Sequence, residues 1–504
     1  MADGQFFTAH CLLFITHLLF TMTVITDNAF WCDFYHLTMA QSLFLDGESE
    51  KEETFEMYVR KNPFDGAYTV AAGLGPVLSW LRDWRYDEDS IEYLRGQYSN
   101  GAPVFREPFL NMLRSASLAL TVDAFPEGEL IFPNEPFARV TGPAWQCSVV
   151  ESAFLNGINA ASLIATKTSR IIEASSNKGV MEFGLRRSND RGGLLSTRSA
   201  AAGGLIATSN VDAARKYGLK LAGTHAHSFV MHYDSELKAF EAWLTHNPNN
   251  ATLLVDSYDT LDGVKNAIKA SVSTGVPLEG IRLDSGDLAY FSKAARKILD
   301  SAGFNKTKIV ASGDLDEYII TDLLTVQKAP IDAFGVGTKL VAPEGTLGGV
   351  YKLKVTSGEN RIKISEDPAK TTIPGATEVI RLFSPDAERF AGDVIIEAGK
   401  TLPQHGRLAL DLESVNIKSG ALKTFCKNTP FYRPMTRVMS AGVLTGGHES
   451  RPLAEIAEAT RKSLTGLDLE HKRLLNPHLY VVGLERCLYD KRKKMIHALQ
   501  RFSD

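Results

Sequence analysis

The sequence predicts an α/β protein in three parts: an α+β domain over residues 27–150, an irregular α/β barrel over 151–350, and a C-terminal segment over 351–504 packed against them. Three observations lead there. Short apolar runs recur through the middle of the chain, each stopping at a small or polar residue and each followed by a helical pattern: Val180–Gly184, Leu219–Thr224, Leu253–Asp256, Gly280–Asp284, Lys308–Ser312 and Asp332–Gly337. The stops are evenly spaced, with Asp256 and Asp284 28 residues apart, Asp284 and Ser312 again 28, and Ser312 and Gly337 25. A strand, turn, helix and return loop fill that length, so the array is βα and its strands pair in parallel. Finally, the polar stops fall on all of these strands. An open doubly wound sheet fits the period equally well, but it gathers its ligand groups at one switch point; a barrel sends every strand end to one mouth.

Ahead of the first domain, residues 1–26 form an apolar extension. Gln5 to Thr26 carries no formal charge and approaches the ~20 residues of a bilayer span. Asp3 and the lack of Lys or Arg before the run argue against a secretory signal, and His10, His17 and several threonines weaken a membrane span. Translation starting at Met22, a packed extension and a membrane anchor remain as readings, the first being favoured. Asp33 is expected to cap a helix carrying Phe34, Leu37, Ala40 and Phe44 on one face. Glu129–Ile131 reads as a strand running into a Pro-punctuated turn. After the barrel, Tyr351–Val355 and Glu378–Phe383 alternate as half-exposed strands do, and a polar helical tail follows from about Pro452.

Composition narrows the function. Apolar residues at 44% and charged residues at 23% exclude a disordered chain. The net charge of −4, with no basic run longer than Lys491–Lys494, excludes a duplex-tracking nucleic-acid binder; that cluster reads as a solvated helix face. Cys11, Cys32, Cys147, Cys426 and Cys487 are scattered and odd in number, which fits reduced thiols in a cytoplasmic protein. Gly399-Lys400-Thr401 resembles the end of a phosphate loop, but Val394 stands where that motif needs Gly, leaving a surface turn.

The chemistry is therefore expected at the barrel mouth. Arg282-Leu283-Asp284-Ser285-Gly286-Asp287 offers a cation and two carboxylates around a tight turn. Ser312-Gly313-Asp314 and Gly335-Val336-Gly337-Thr338 open onto helix N-termini, which suits a phosphate; each could also merely turn the chain. Gly223-Thr224-His225-Ala226-His227 places two histidines two apart, read as metal ligands, as structural histidines, or as a nucleophile or acid–base group aimed inward. Arg186 and Arg187 end another strand with guanidinium groups that suit phosphate or carboxylate, a surface pair being the plain alternative, and Ser188–Gly193 after them reads as a closing loop.

These strings together resemble the nicotinate phosphoribosyltransferase family. Cys32–Met39, Glu182–Arg187, Gly223–Phe229, Leu253–Thr260, Arg282–Leu288, and Gly335–Thr338 followed by Leu347–Leu353 occur in the family's order, and the likeness runs from about Thr26 to at least Asp367. It implies the type II phosphoribosyltransferase barrel and a homodimer with shared sites. Tyr35 would reach the pyridine ring of a partner subunit, while Thr224 and Arg282 would contact nicotinate. Arg186, Asp287, Ser312, Gly313, Gly337 and Thr338 would hold phosphoribosyl pyrophosphate. Asp284, a catalytic residue, and Asp287 would orient ribose hydroxyls or Mg²⁺, which Mn²⁺ could replace. His227 would be the phosphohistidine through which ATP, a co-substrate, drives formation of nicotinate mononucleotide in NAD salvage. Two features depart from the pattern: His225 stands where an apolar or small residue is expected, and the leader has no counterpart. The rivals are a nicotinamide or quinolinate enzyme of the same fold and a catalytically silent, membrane-tethered relative.

Overall fold

The computed structural model describes residues 29–500 except 177, 190–191, 368–369 and 387; the 1–26 extension and Cys11 lie outside the described residues. The βα array folds into six parallel strands in the order Thr252–Leu254, Gly280–Leu283, Lys308–Ser312, Ala333–Val336, Gly179–Glu182 and Ala207–Thr208. The first five bury Val, Ile, Leu, Ala or Phe in one continuous core. The helices between them start at side-chain caps: Asp259 accepts from Asp262 N–H, Asp287 from Tyr290 N–H and Asp316 from Tyr318 and Ile319 N–H.

Backbone pairing curls this sheet without closing it. Leu221 bridges Thr208 on one side. On the other, Thr252–Leu254 is an edge strand: Val255 N–H goes inward to Arg282 O, and Leu254 N–H points outward. An unpaired buried N–H is costly, and the ring of His225 meets it, Nε2 accepting from Leu254 N–H at 3.3 Å. Asn250 Nδ2 adds a bond of 3.1 Å to Gly223 O. The barrel is irregular because side chains supply its last seam.

The helix Glu151–Ala174 is the wall between two cores. Ala161, Ile164, Ala165 and Ile171 face the barrel; Ala153, Phe154, Ile158 and Leu163 face the N-terminal domain. Among the described residues this stretch, from Ala144, alone has the length and apolar character to cross a membrane; here it is mostly buried in protein. Two of its buried cations are paired. Lys167 Nζ and Arg170 Nε reach Glu317 at 2.5 and 3.0 Å.

The antiparallel N-terminal sheet takes strands from distant parts of the chain. Its order is Glu359–Asn360, Gly349–Thr356, Glu52–Val59, Ala138–Pro143, Thr121–Ala124, Thr436–Ser440 and Val443–Leu444. A second seven-stranded sheet centres on Thr377–Phe383 and Phe390–Glu397. The sequence pattern made 378–383 half-exposed, yet all but Phe383 are buried. The reason is Arg381, which is fully buried: its Nε and Nη2 hold Asp393 at 2.9 and 2.8 Å, Nη2 bonds Leu130 O at 2.9 Å, and its plane lies over Phe132 and Phe390. The polar position is an internal pin joining the two domains.

Other expectations shift in detail. Asp33 precedes the helix Phe34–Leu45 but makes no cap bond, its carboxylate accepting instead from Ser152 Oγ at 2.5 Å. The tail is not all helix: the strand Val482–Glu485 separates helices Leu453–Thr465 and Arg486–Gln500. Within the Lys491–Lys494 cluster, Arg492 is buried and donates to Thr371 and Thr372 carbonyls, so that face is partly packed, not wholly solvated.

Replacing Arg381 with Ala strands the buried Asp393 carboxylate, and a loss of about 3–5 kcal/mol is expected in urea unfolding; Arg381→Met, which refills the volume, leaves the same carboxylate unpaired and is expected to be nearly as severe. His225 gives a pH test. Burial, followed by the nearby Arg282 and His227 charges, lowers its pKa from 6.5 to about 4. Between those values the unfolded chain binds a proton that the folded chain refuses, so stability falls as pH drops from 6.5 towards 4. The melting temperature of His225→Gln is expected to fall less steeply across that window.

Candidate active site

Four residues at strand ends and turns singled out in the sequence, Phe183, Thr224, Asp284 and Ser312, converge on one side chain. Arg282 leaves the end of Gly280–Leu283 with its guanidinium over the Phe183 ring at 5.2 Å. Each of its nitrogens has a partner on a different segment: Nε donates to Ser312 Oγ at 2.8 Å, Nη1 to Thr224 Oγ1 at 3.1 Å and Nη2 to Asp284 Oδ1 at 2.6 Å. Ser312 closes the ring by donating to Asp284 Oδ1 at 2.5 Å. A guanidinium carries five N–H bonds. One hydrogen on each terminal nitrogen is left for an incoming anion.

Asp284 is half-buried. Burial alone would raise its pKa, but the Ser312 hydroxyl and Arg282 bring it below the ordinary carboxylate value, so it stays ionised. Gly313 is required beside it. Its φ is +92°, and a Cβ there would lie 2.2 Å from Asp284 O.

His227 opens the short helix His227–His232, with Nε2 3.1 Å from Asp256 Oδ1. Its side chain is 40% exposed to the mouth, whereas that of Asp256 is 1% exposed. Asp256 Oδ2 accepts from Asp284 N–H at 2.9 Å and Ser285 Oγ at 2.7 Å. The sequence reading noted Asp256 as a strand stop without giving it a site role. The spacing that marked it as a stop was also the signal that it faced the mouth. In the tautomer that donates its Nε2–H to this carboxylate, Nδ1 of His227 carries the lone pair.

The two histidines do not converge as metal ligands. His225 is buried against Trp243, Phe229 and Phe240, with centroids 5.0, 5.5 and 5.8 Å away, and among the described residues no cluster of three or more His, Cys, Asp or Glu could hold a metal. Glu182, fully buried at its strand end, accepts from Thr208 Oγ1 at 2.5 Å and Thr197 Oγ1 at 3.1 Å. It fixes the wall beside Phe183.

The remaining residues are placed as follows. Asp287 Oδ1 caps the next helix at 2.9 Å from Tyr290 N, leaving its other oxygen towards solvent. Gly337 and Thr338 begin the short helix Thr338–Val341, and a Cβ on Gly337 would lie 3.3 Å from Phe183 O. Arg186 and Arg187 are exposed in the turn Leu185–Arg187. Tyr35 lies outside the cluster, 49% exposed on the helix Phe34–Leu45 beside a hollow of about 630 Å³ that Trp31, Asn156 and Leu347 also line.

Comparison with known proteins gives the family. Residues 30–159, 179–378 and 377–492 match the N-terminal domain, the family core and the C-terminal domain of nicotinate phosphoribosyltransferase. The chain is 35% identical over 483 residues to the enzyme of that name from Bacillus subtilis, covering 93% of this chain and 95% of that one. It is 33% identical to the one from Dictyostelium discoideum, covering 91% and 86%. The crystal structure of human nicotinic acid phosphoribosyltransferase superposes with a TM-score of 0.78 at 26% identity, over 92% of this chain and 99% of that one. The chain belongs to the nicotinate phosphoribosyltransferase family.

Proposed function

We propose that the protein forms nicotinate mononucleotide and pyrophosphate from nicotinate and 5-phosphoribosyl 1-pyrophosphate in NAD salvage, in a ligase-type reaction driven by ATP through phosphorylation of His227. The observation that carries this is the Arg282 cluster at the barrel mouth, set beside the His227–Asp256 pair in a chain of this family. Two free guanidinium hydrogens held on a rigid frame suit the planar carboxylate of nicotinate. Neutral nicotinamide would leave that charge without an anionic partner.

In the first half-reaction the Nδ1 lone pair of His227 attacks the γ-phosphorus of ATP, the bond to the β-bridging oxygen breaks, and ADP leaves. Asp256 holds the ring and offsets the charge it gains. In the second, the nicotinate nitrogen bonds to the anomeric carbon as that carbon's bond to pyrophosphate breaks, and water then takes the phosphoryl group from His227, releasing phosphate and restoring the free imidazole. Asp284 and Asp287 would hold a Mg²⁺ ion, or Mn²⁺ in its place, which would offset the negative charge of the pyrophosphate. Asp284, kept ionised, faces the positive charge that develops on the sugar. The Ser312-Gly313 turn and Gly337-Thr338 offer N–H groups to the ribose phosphate, and Asp287 and Arg186 lie at the rim for the hydroxyls and pyrophosphate.

The exposed face of Phe34, Tyr35 and Met39 supports a homodimer in which Tyr35 completes the partner's site. Free Cys32, Cys147, Cys426 and Cys487 support a cytoplasmic location. Purified protein given either base with phosphoribosyl pyrophosphate and Mg²⁺ is expected to make product from nicotinate, faster with ATP, and far less from nicotinamide. Equal turnover of the two bases would sink the assignment. His227→Ala is expected to lose the ATP response and all acid-labile phosphate from labelled ATP; retention of either moves the phosphoryl acceptor to another residue.

A further inference from the structure

His225 costs the fold something that a leucine or phenylalanine would not. It buries an imidazole among Phe229, Phe240 and Trp243, and an apolar side chain would fill that box without desolvating a polar ring. What the imidazole adds is an acceptor, spent on the outward N–H of the edge strand at Leu254. The contact is in register with the site. Two residues beyond His225 stands His227; two residues beyond Leu254 stands Asp256; and those two meet at 3.1 Å.

We propose that His225 is a positioning residue for His227: its bond to Leu254 ties the loop carrying His227 to the strand end carrying Asp256 and sets the reach between them. The inference rests on the role given to His227 above. Neighbouring bonds brace the same loop, Asn250 Nδ2 holding Gly223 O and Trp243 Nε1 holding Asn250 O at 2.9 Å, so loss of the His225 bond loosens the seam without opening the barrel. Thr224 is held separately by Arg282, which leaves the nicotinate contact in place.

The test is a cycle on the full-length protein, read as turnover to nicotinate mononucleotide with and without ATP. His225→Phe removes the acceptor, and His225→Gln returns an oxygen near the position of Nε2. The Phe variant is expected to slow ATP-stimulated turnover by about tenfold, the effect of one buried N–H losing its partner, with the nicotinate KM within about twofold of the parent; Gln is expected to recover most of the rate. In a His227→Ala background the Phe substitution is expected to cause no further loss. A loss of equal size in both backgrounds, or a Gln variant as slow as Phe, overturns the proposal. Should the Phe variant not fold, His225→Asn, too short to reach Leu254, replaces it: Asn slower than Gln supports the clasp and equal rates overturn it. A parent enzyme that ignores ATP defeats the phosphohistidine reading alone, because coupling between positions 225 and 227 is then read on ATP-free turnover.

Discussion

A single guanidinium organises the mouth of this barrel. Arg282 is bonded to side chains of Ser312, Thr224 and Asp284 at once, and each stands at the end of a different βα unit or in the turn beyond Arg282 itself. A partly buried cation with partners in its own turn and on two segments distant in sequence is hard to displace, since moving any one of them leaves a charge or a hydroxyl unmatched. The barrel therefore presents its strand ends as a fixed array. That rigidity lets two remaining N–H bonds select an anion by geometry.

The histidine side of the mouth is joined to the same array through Asp256. One oxygen takes the His227 ring, and the other takes Asp284 N–H and the Ser285 hydroxyl. Because Asp284 also accepts from Arg282, the guanidinium, the two carboxylates and the histidine form one hydrogen-bonded chain. A change of charge at His227 is thus felt by Asp284 through one intervening carboxylate. Buried pairs fix the barrel elsewhere: Arg198 forks onto Glu127 of the N-terminal domain at 2.8 and 2.7 Å, and within the barrel segment Lys167 and Arg170 grip Glu317.

The βα array and its mouth were legible because each stop interrupts an apolar run at a regular interval, and those stops, Gly184, Thr224, Asp256, Asp284, Ser312 and Gly337, lie at or up to three residues past the ends of the strands or the seam. Which stop bonds which was not legible, since Thr224 and Arg282 are 58 residues apart and nothing in local periodicity records the pair. The same limit hid the N-terminal sheet. Gly349–Thr356 and Thr436–Ser440 join strands some three hundred residues earlier in the chain, a non-local pairing that local pattern does not encode. Arg381 misled the burial pattern because an arginine in a strand usually marks the solvent face, and the carboxylate that reverses the rule lies on the neighbouring strand. His225 was conspicuous as a departure, but its meaning required knowing that Leu254 lies on an edge.

If Arg282 is what makes the mouth read a carboxylate, the decisive quantity is a ratio, because overall activity falls for any damage to the network. We would measure kcat/KM for nicotinate and for nicotinamide in the parent and in Arg282→Gln, which keeps polar contact with Thr224 and Ser312 but removes the charge. The account predicts that the preference for nicotinate shrinks by about 10- to 100-fold, the worth of a charged hydrogen bond. An unchanged ratio, whatever happens to the absolute rates, would mean that the carboxylate is read elsewhere and would contradict the account at its centre.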